Sequence, residues 1–113
     1  MTRAKSKRNE PKSRRHLKTL IEDATMDCYG ESEEATGLFT AMEENLSLPF
    51  SATVFGIVVN VEKLDIDSRD TILAVCTHQR RRETIRVLDL HLPDPPPEGV
   101  EWIEAYRLWY NRG

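Results

Sequence analysis

At Leu48-Pro49-Phe50 the hydrophobic period of this chain changes from helical to strand-like, and that switch bounds what it can fold into. Proline lacks a backbone N–H and disfavours helix at the residue before it, so a helix arriving from the N-terminal side must stop here. Before the switch, apolar residues recur every three or four positions. After it they alternate in twos. The sequence therefore predicts helices first and a sheet second.

The helical part has two pieces. Leu17, Leu20, Ile21, Ala24 and Cys28 share one face of a helix that starts near Ser13, and Gly30 punctuates the chain after it. A second helix runs from Glu31 or Ser32 to Leu46, with Ala35, Leu38, Phe39, Met42 and Leu46 as its apolar stripe. Glu33 and Glu34 at its start suit the positive end of the helix dipole. Gly37 inside it costs about 1 kcal/mol relative to alanine, which points to another backbone packed closely against it.

Phe50–Phe55 and Ile57–Val61 read as strands around Gly56, which is placed at a bulge or sharp bend. Asp65–Asp70 reads as a loop, Thr71–Thr77 and Thr84–Leu90 as two more strands, and Gln79–Glu83 as a charged turn between them. Pro93-Asp94-Pro95-Pro96-Pro97 reads as a stiff spacer. Beyond it Trp102, Ile103, Tyr106, Trp109 and Tyr110 line one side of a terminal helix, a stripe that at this spacing is more often docked than free. The fold class that follows is α+β. It has N-terminal helices, a small, strongly bent antiparallel sheet of the SH3-like barrel type, and a C-terminal helix.

Charge divides the chain differently. Residues 1–18 carry eight basic side chains against Glu10 alone, whereas residues 19–113 carry eight basic against eighteen acidic. Residues 1–12, basic and containing Pro11, read as a disordered basic arm, and 13–113 as a single domain. No apolar run approaches the ~20 residues that cross a bilayer, and the basic start lacks the apolar core of a secretory signal. A cytoplasmic location with no membrane partner is the resulting expectation. Cys28 and Cys76 are too few for a disulfide framework and read as reduced thiols.

Catalytic patterns are missing. His16, His78 and His91 sit in no recognisable motif, and GxxxxGKS, HExxH and GxSxG do not occur, so the expectation is a protein that is not an enzyme. Carboxylates are the remaining chemistry. Asp27, Glu31 and Glu34 would share one face if the helix continued through Gly30. Glu43 and Glu44 crowd the end of the second helix against its dipole, and Asp65, Asp67 and Asp70 gather in one loop. Calcium takes about six to eight oxygens from such groups. The loop is not an EF-hand, because Arg69 and Asp70 stand where Asp or Asn and Gly are needed, and Cys76 replaces the bidentate glutamate.

The run from Tyr29 through Gly30, Glu31, Glu33, Glu34, Ala35 and Gly37 to Glu43-Glu44, Leu46 and Pro49-Phe50 resembles the cyanobacterial-type calcium-binding protein family, small bacterial proteins without an EF-hand. The resemblance spans roughly residues 20–110. It implies calcium capture by surface carboxylates, as a buffer or a sensor. The acidic positions it puts forward are Glu31, Glu34, Glu43 and Glu44, followed by Asp65, Asp67 and Asp89. The chain departs from the family pattern in its short 60–70 loop with Arg69 and in the proline-rich insert after Asp89.

A second reading uses the basic residues. Residues 3–18 and Arg80-Arg81-Arg82 would suit nucleic-acid phosphates, and the aromatic terminal helix would suit a protein partner. The acidic body opposes a polyanion over most of its surface.

Overall fold

A computed structural model describes residues 13–112; the expected basic arm, 1–12, lies outside them. Two helices, α1 (Arg14–Thr25) and α2 (Glu31–Asn45), precede four strands, β1 (Phe50–Val54), β2 (Ile57–Ile66), β3 (Ile72–His78) and β4 (Arg81–Arg86). A 3-10 turn, Val87–Asp89, follows, and α3 (Glu101–Tyr110) closes the described chain. None of the described helices is long and apolar enough to cross a membrane.

Ser13 caps α1, its hydroxyl accepting from the His16 N–H at 3.1 Å. The helix stops at Thr25, and Asp27 takes a positive φ of 69° before α2 begins. Asp27, Glu31 and Glu34 therefore do not lie on one continuous helix face. Ala35, Leu38 and Met42 are buried on α2, as their spacing requires. Gly37 lies against α1: a Cβ there would sit 2.3 Å from the Ala24 carbonyl oxygen. The helices thus approach more closely than any larger side chain allows.

The sheet is antiparallel throughout, in the order β1-β2-β3-β4, and does not close. Phe55-Gly56 and Gln79-Arg80 are two-residue turns with positive φ at both positions, the geometry that matches the right-handed twist of a hairpin. A register shift between Val61 and Lys63 marks a bulge in β2, which bends the strand. Three boundaries differ from the sequence reading. Phe55 leaves β1 to join Gly56 in the turn, β2 continues through Asp65 to Ile66, and Arg81–Glu83 belong to β4 and not to the turn. The 87–90 segment, expected as strand, makes the 3-10 turn and buries Val87 and Leu90. His91 then bonds the outer edge of β1, exchanging both backbone hydrogen bonds with Thr53 at 2.9 Å.

Leu38 and Met42 from α2, Val61, Leu64, Ile72 and Ala74 from the sheet, and Ile103 and Tyr106 from α3 form one core. Each large apolar side chain buried there stabilises the fold by about 1.5–3 kcal/mol. The Tyr106 hydroxyl is satisfied inside the core, accepting from the Ile72 N–H at 3.1 Å. The aromatic stripe of α3 faces inward, with Tyr106 and Trp109 buried and Tyr110 left at the surface. The proline-rich segment leads into a turn at Gly99, where φ is 89° and a Cβ would meet the Asn45 carbonyl oxygen at 2.0 Å.

Candidate metal centre

The first turn of α2 carries Glu31, Glu33 and Glu34, where negative charge complements the unpaired N–H groups of a helix start. Glu33 turns back on the chain, its Oε1 accepting from the Tyr29 N–H at 2.9 Å. Glu31 and Glu34, three residues apart, both turn towards the end of α3. Glu34 Oε1 accepts from the indole Nε1 of Trp109 at 2.8 Å, and Glu31 Oε2 pairs with Arg112 Nη2 at 2.8 Å. The Arg112 guanidinium lies 4.2 Å from the centre of the Trp109 ring. A charged lattice thus joins the start of one helix to the end of another.

The β2–β3 loop reaches the same place. Asp67 shapes it, with Oδ1 accepting from the N–H groups of Arg69 at 2.9 Å and Thr71 at 3.0 Å. Asp70, at φ 65°, presents its carboxylate to α2, where Oδ1 accepts from the Ser32 hydroxyl at 3.1 Å. Thirty-eight residues separate Ser32 from Asp70, yet the fold makes them neighbours. The sequence reading placed Asp70 in an acidic loop without assigning it as a ligand. No local signal connects it to Ser32; the contact is a product of the bent sheet.

The electrostatics agree with that crowding. Burial pushes the Cys28 thiol above its ordinary range, and the charges of Glu33, Glu34 and Asp27 push it further. Asp65 stands apart on β2, its Oδ1 accepting from the Ile66 N–H at 2.8 Å.

Glu43 and Glu44 occupy the opposite end of α2. The helix rises about 1.5 Å per residue, so they lie roughly 18–20 Å from Glu31. Both are exposed, and among the described residues neither makes an ion pair or a side-chain hydrogen bond. The Ser47 N–H bonds the Glu98 carbonyl at 2.9 Å, bringing a third acidic residue's backbone to this end. Asp89 is engaged elsewhere. Arg86 donates to both its oxygens, from Nε at 2.9 Å and from Nη2 at 3.0 Å, and this bidentate bond holds the Asp89 carboxyl below the usual range. The seven positions are therefore distributed over four places rather than one.

Among the described residues, no three of His, Cys, Asp and Glu converge tightly enough to hold a metal ion. The start of α2 offers oxygens from two segments, but Glu31 and Glu34 are held by Arg112 and Trp109. This arrangement is an open acidic surface. A calcium ion there would draw the carboxylates away from their present partners, and water would fill the rest of its shell.

No protein-family model matches the chain, and no curated protein matches it. Among solved structures, the crystal structure of CcbP from Anabaena has the same fold, with a TM-score of 0.74. The match covers 88% of this chain and 92% of that one at 17% sequence identity.

Proposed function

We propose that this protein is a non-enzymatic calcium-binding protein that captures the ion on surface carboxylates, as a cytoplasmic buffer or sensor. The observation that carries the reading is the Ser32–Asp70 contact, which sets the acidic β2–β3 loop against the glutamates of α2. The fold shared with CcbP and the resemblance of the Tyr29–Phe50 run to the calcium-binding family support it.

Glu31 and Glu34, joined by Asp67 and Asp70, form the principal site, and Glu43 with Glu44 forms a second, weaker one. Asp65 contributes to the field around the first site. Asp89, held by Arg86, contributes least. The mechanism is electrostatic. Clustered carboxylates raise the local cation concentration, and the ion relieves their mutual repulsion. Exposed groups screened by salt give affinity in the micromolar range or weaker. Magnesium competes poorly because it prefers a tight octahedron and keeps its waters.

Equilibrium dialysis of the full chain against radiolabelled calcium tests the assignment. Glu31→Gln/Glu34→Gln removes most of the uptake while Asp89→Asn leaves it unchanged. Equal uptake by wild type and the double variant refutes the site.

A further inference from the structure

We propose that the outer edge of β4, with the apolar trough beside it, is a strand-addition site for an extended partner polypeptide that alternates acidic and apolar residues. The turn at Gln79-Arg80 fixes the register, so His78 and Arg81 form the hydrogen-bonded pair beside it. Along β4 the peptide groups of Arg82 and Thr84 then point outward, and among the described residues they meet no backbone partner. The other edge of the sheet is different, because His91 already bonds β1 at Thr53.

Beside the open edge, Val54, Ile57, Val59, Cys76 and Ile85 line a trough of about 230 Å³ where the sheet extends beyond its helices. Phe55 stands at its rim with 95% of its surface exposed. The gap between β4 and the end of β1 is a groove of about 890 Å³. Side chains on β4 alternate across the sheet. Ile85 faces the trough, and Arg82, Thr84 and Arg86 face the other way. A strand added here places apolar side chains in the trough and its alternate residues on the face of Arg82, where acidic groups pair best; Arg86, on the same face, is already bound to Asp89.

Charge selects the occupant. Arg80 and Arg81 have no ion pair among the described residues, and Arg82 has only a 3.6 Å contact with Glu62. A second copy adding antiparallel about Thr84 would oppose Arg82 to Arg86. Residues 1–12, with five basic side chains against Glu10, would also meet like charge. Nucleic acid would use the arginines but not the trough or the open backbone.

Fluorescence anisotropy of the full chain tests this with a labelled peptide alternating glutamate and valine. A peptide with lysine in place of glutamate and a single-stranded oligonucleotide serve as comparisons. Thr84→Pro removes an outward N–H without breaking the ladder to β3, and Arg80→Glu/Arg82→Glu reverses the charge at the turn and on the face that the acidic residues meet. Each is expected to weaken the acidic peptide roughly tenfold or more, with the lysine peptide not binding. Amide exchange at Arg82 and Thr84 should slow when the peptide is present. Absence of binding, or binding indifferent to both variants, overturns the proposal and leaves the charged edge as protection against strand pairing. Preference for the oligonucleotide, or a dimer abolished by Thr84→Pro, also overturns it. If Thr84→Pro does not fold, the charge-reversal variant and the exchange data decide.

Discussion

The indole of Trp109 donates to Glu34 Oε1 at 2.8 Å, so a proposed calcium ligand and a natural fluorophore share one hydrogen bond. An ion that recruits Glu34 must disturb that bond, and calcium is expected to change Trp109 emission. In a Trp102→Phe background the change is assignable to Trp109 alone. Glu34→Gln keeps an acceptor and loses the charge, so it should fold normally and lose most of the response. Glu34→Ala strands a half-buried N–H and should cost about 1–3 kcal/mol in denaturant unfolding.

Gly37→Ala should destabilise the fold although alanine is the better helix former by about 1 kcal/mol. The new methyl would meet the Ala24 carbonyl oxygen at 2.3 Å, and that atom is backbone, so it cannot swing aside. A net loss of about 1–3 kcal/mol is expected, because overpacking outweighs propensity here. Thermal denaturation reads the sign directly. A rise in Tm would show that α1 and α2 do not pack at this distance.

Tyr106 links stability to alkaline pH. Burial raises its pKa above the ordinary tyrosine value of 10.0, while the Ile72 N–H pulls it down. The folded protein therefore holds the proton more tightly than the unfolded chain. Stability from this group is fully present below pH 10 and declines as pH rises through the folded pKa. Tyr106→Phe should lose about 1–3 kcal/mol at neutral pH by orphaning the Ile72 N–H, and its alkaline decline should be shallower. Urea unfolding of both proteins across that range checks the two effects separately.

Glu43 and Glu44 sit where a helix dipole disfavours negative charge, with no cation paired to either among the described residues. Glu43→Gln/Glu44→Gln should therefore stabilise the calcium-free protein, by about 0.3–1 kcal/mol for each charge removed. Added calcium should raise the Tm of wild type more than that of the variant. Equal shifts would remove this end of α2 from the account.

Much of the fold was legible because it rests on local patterns. The α2 stripe, the stop at Pro49 and the close approach at Gly37 each follow from a few neighbouring residues. The errors lie mostly at exposed positions, with the 87–90 segment as the exception. Arg81–Glu83 read as a turn because three charged residues seldom make a strand, yet an edge strand open to water tolerates them. Asp65 read as loop because a bulge at Glu62 carries the β2 ladder past Val61. The 87–90 segment alternated like a strand but buries Val87 and Leu90 through a 3-10 turn.

The acidic positions were visible as residue types, but their grouping was not. Asp89 looked available, while Arg86, only three residues away, takes both its oxygens. Asp70 and Ser32 meet only because the bent sheet returns its β2–β3 loop to α2. Glu34 and Trp109 meet only because α3 packs back on the first two helices. Contacts across such sequence distances have no local signature.

Calorimetric titration of calcium into chelator-treated full-length protein, at physiological salt and with millimolar magnesium present, tests the central claim most directly. Saturable binding with a defined stoichiometry and an affinity in the micromolar range or weaker is expected. A trace showing only titrant dilution at two temperatures would contradict it, and would mean that this chain has the fold without the ion.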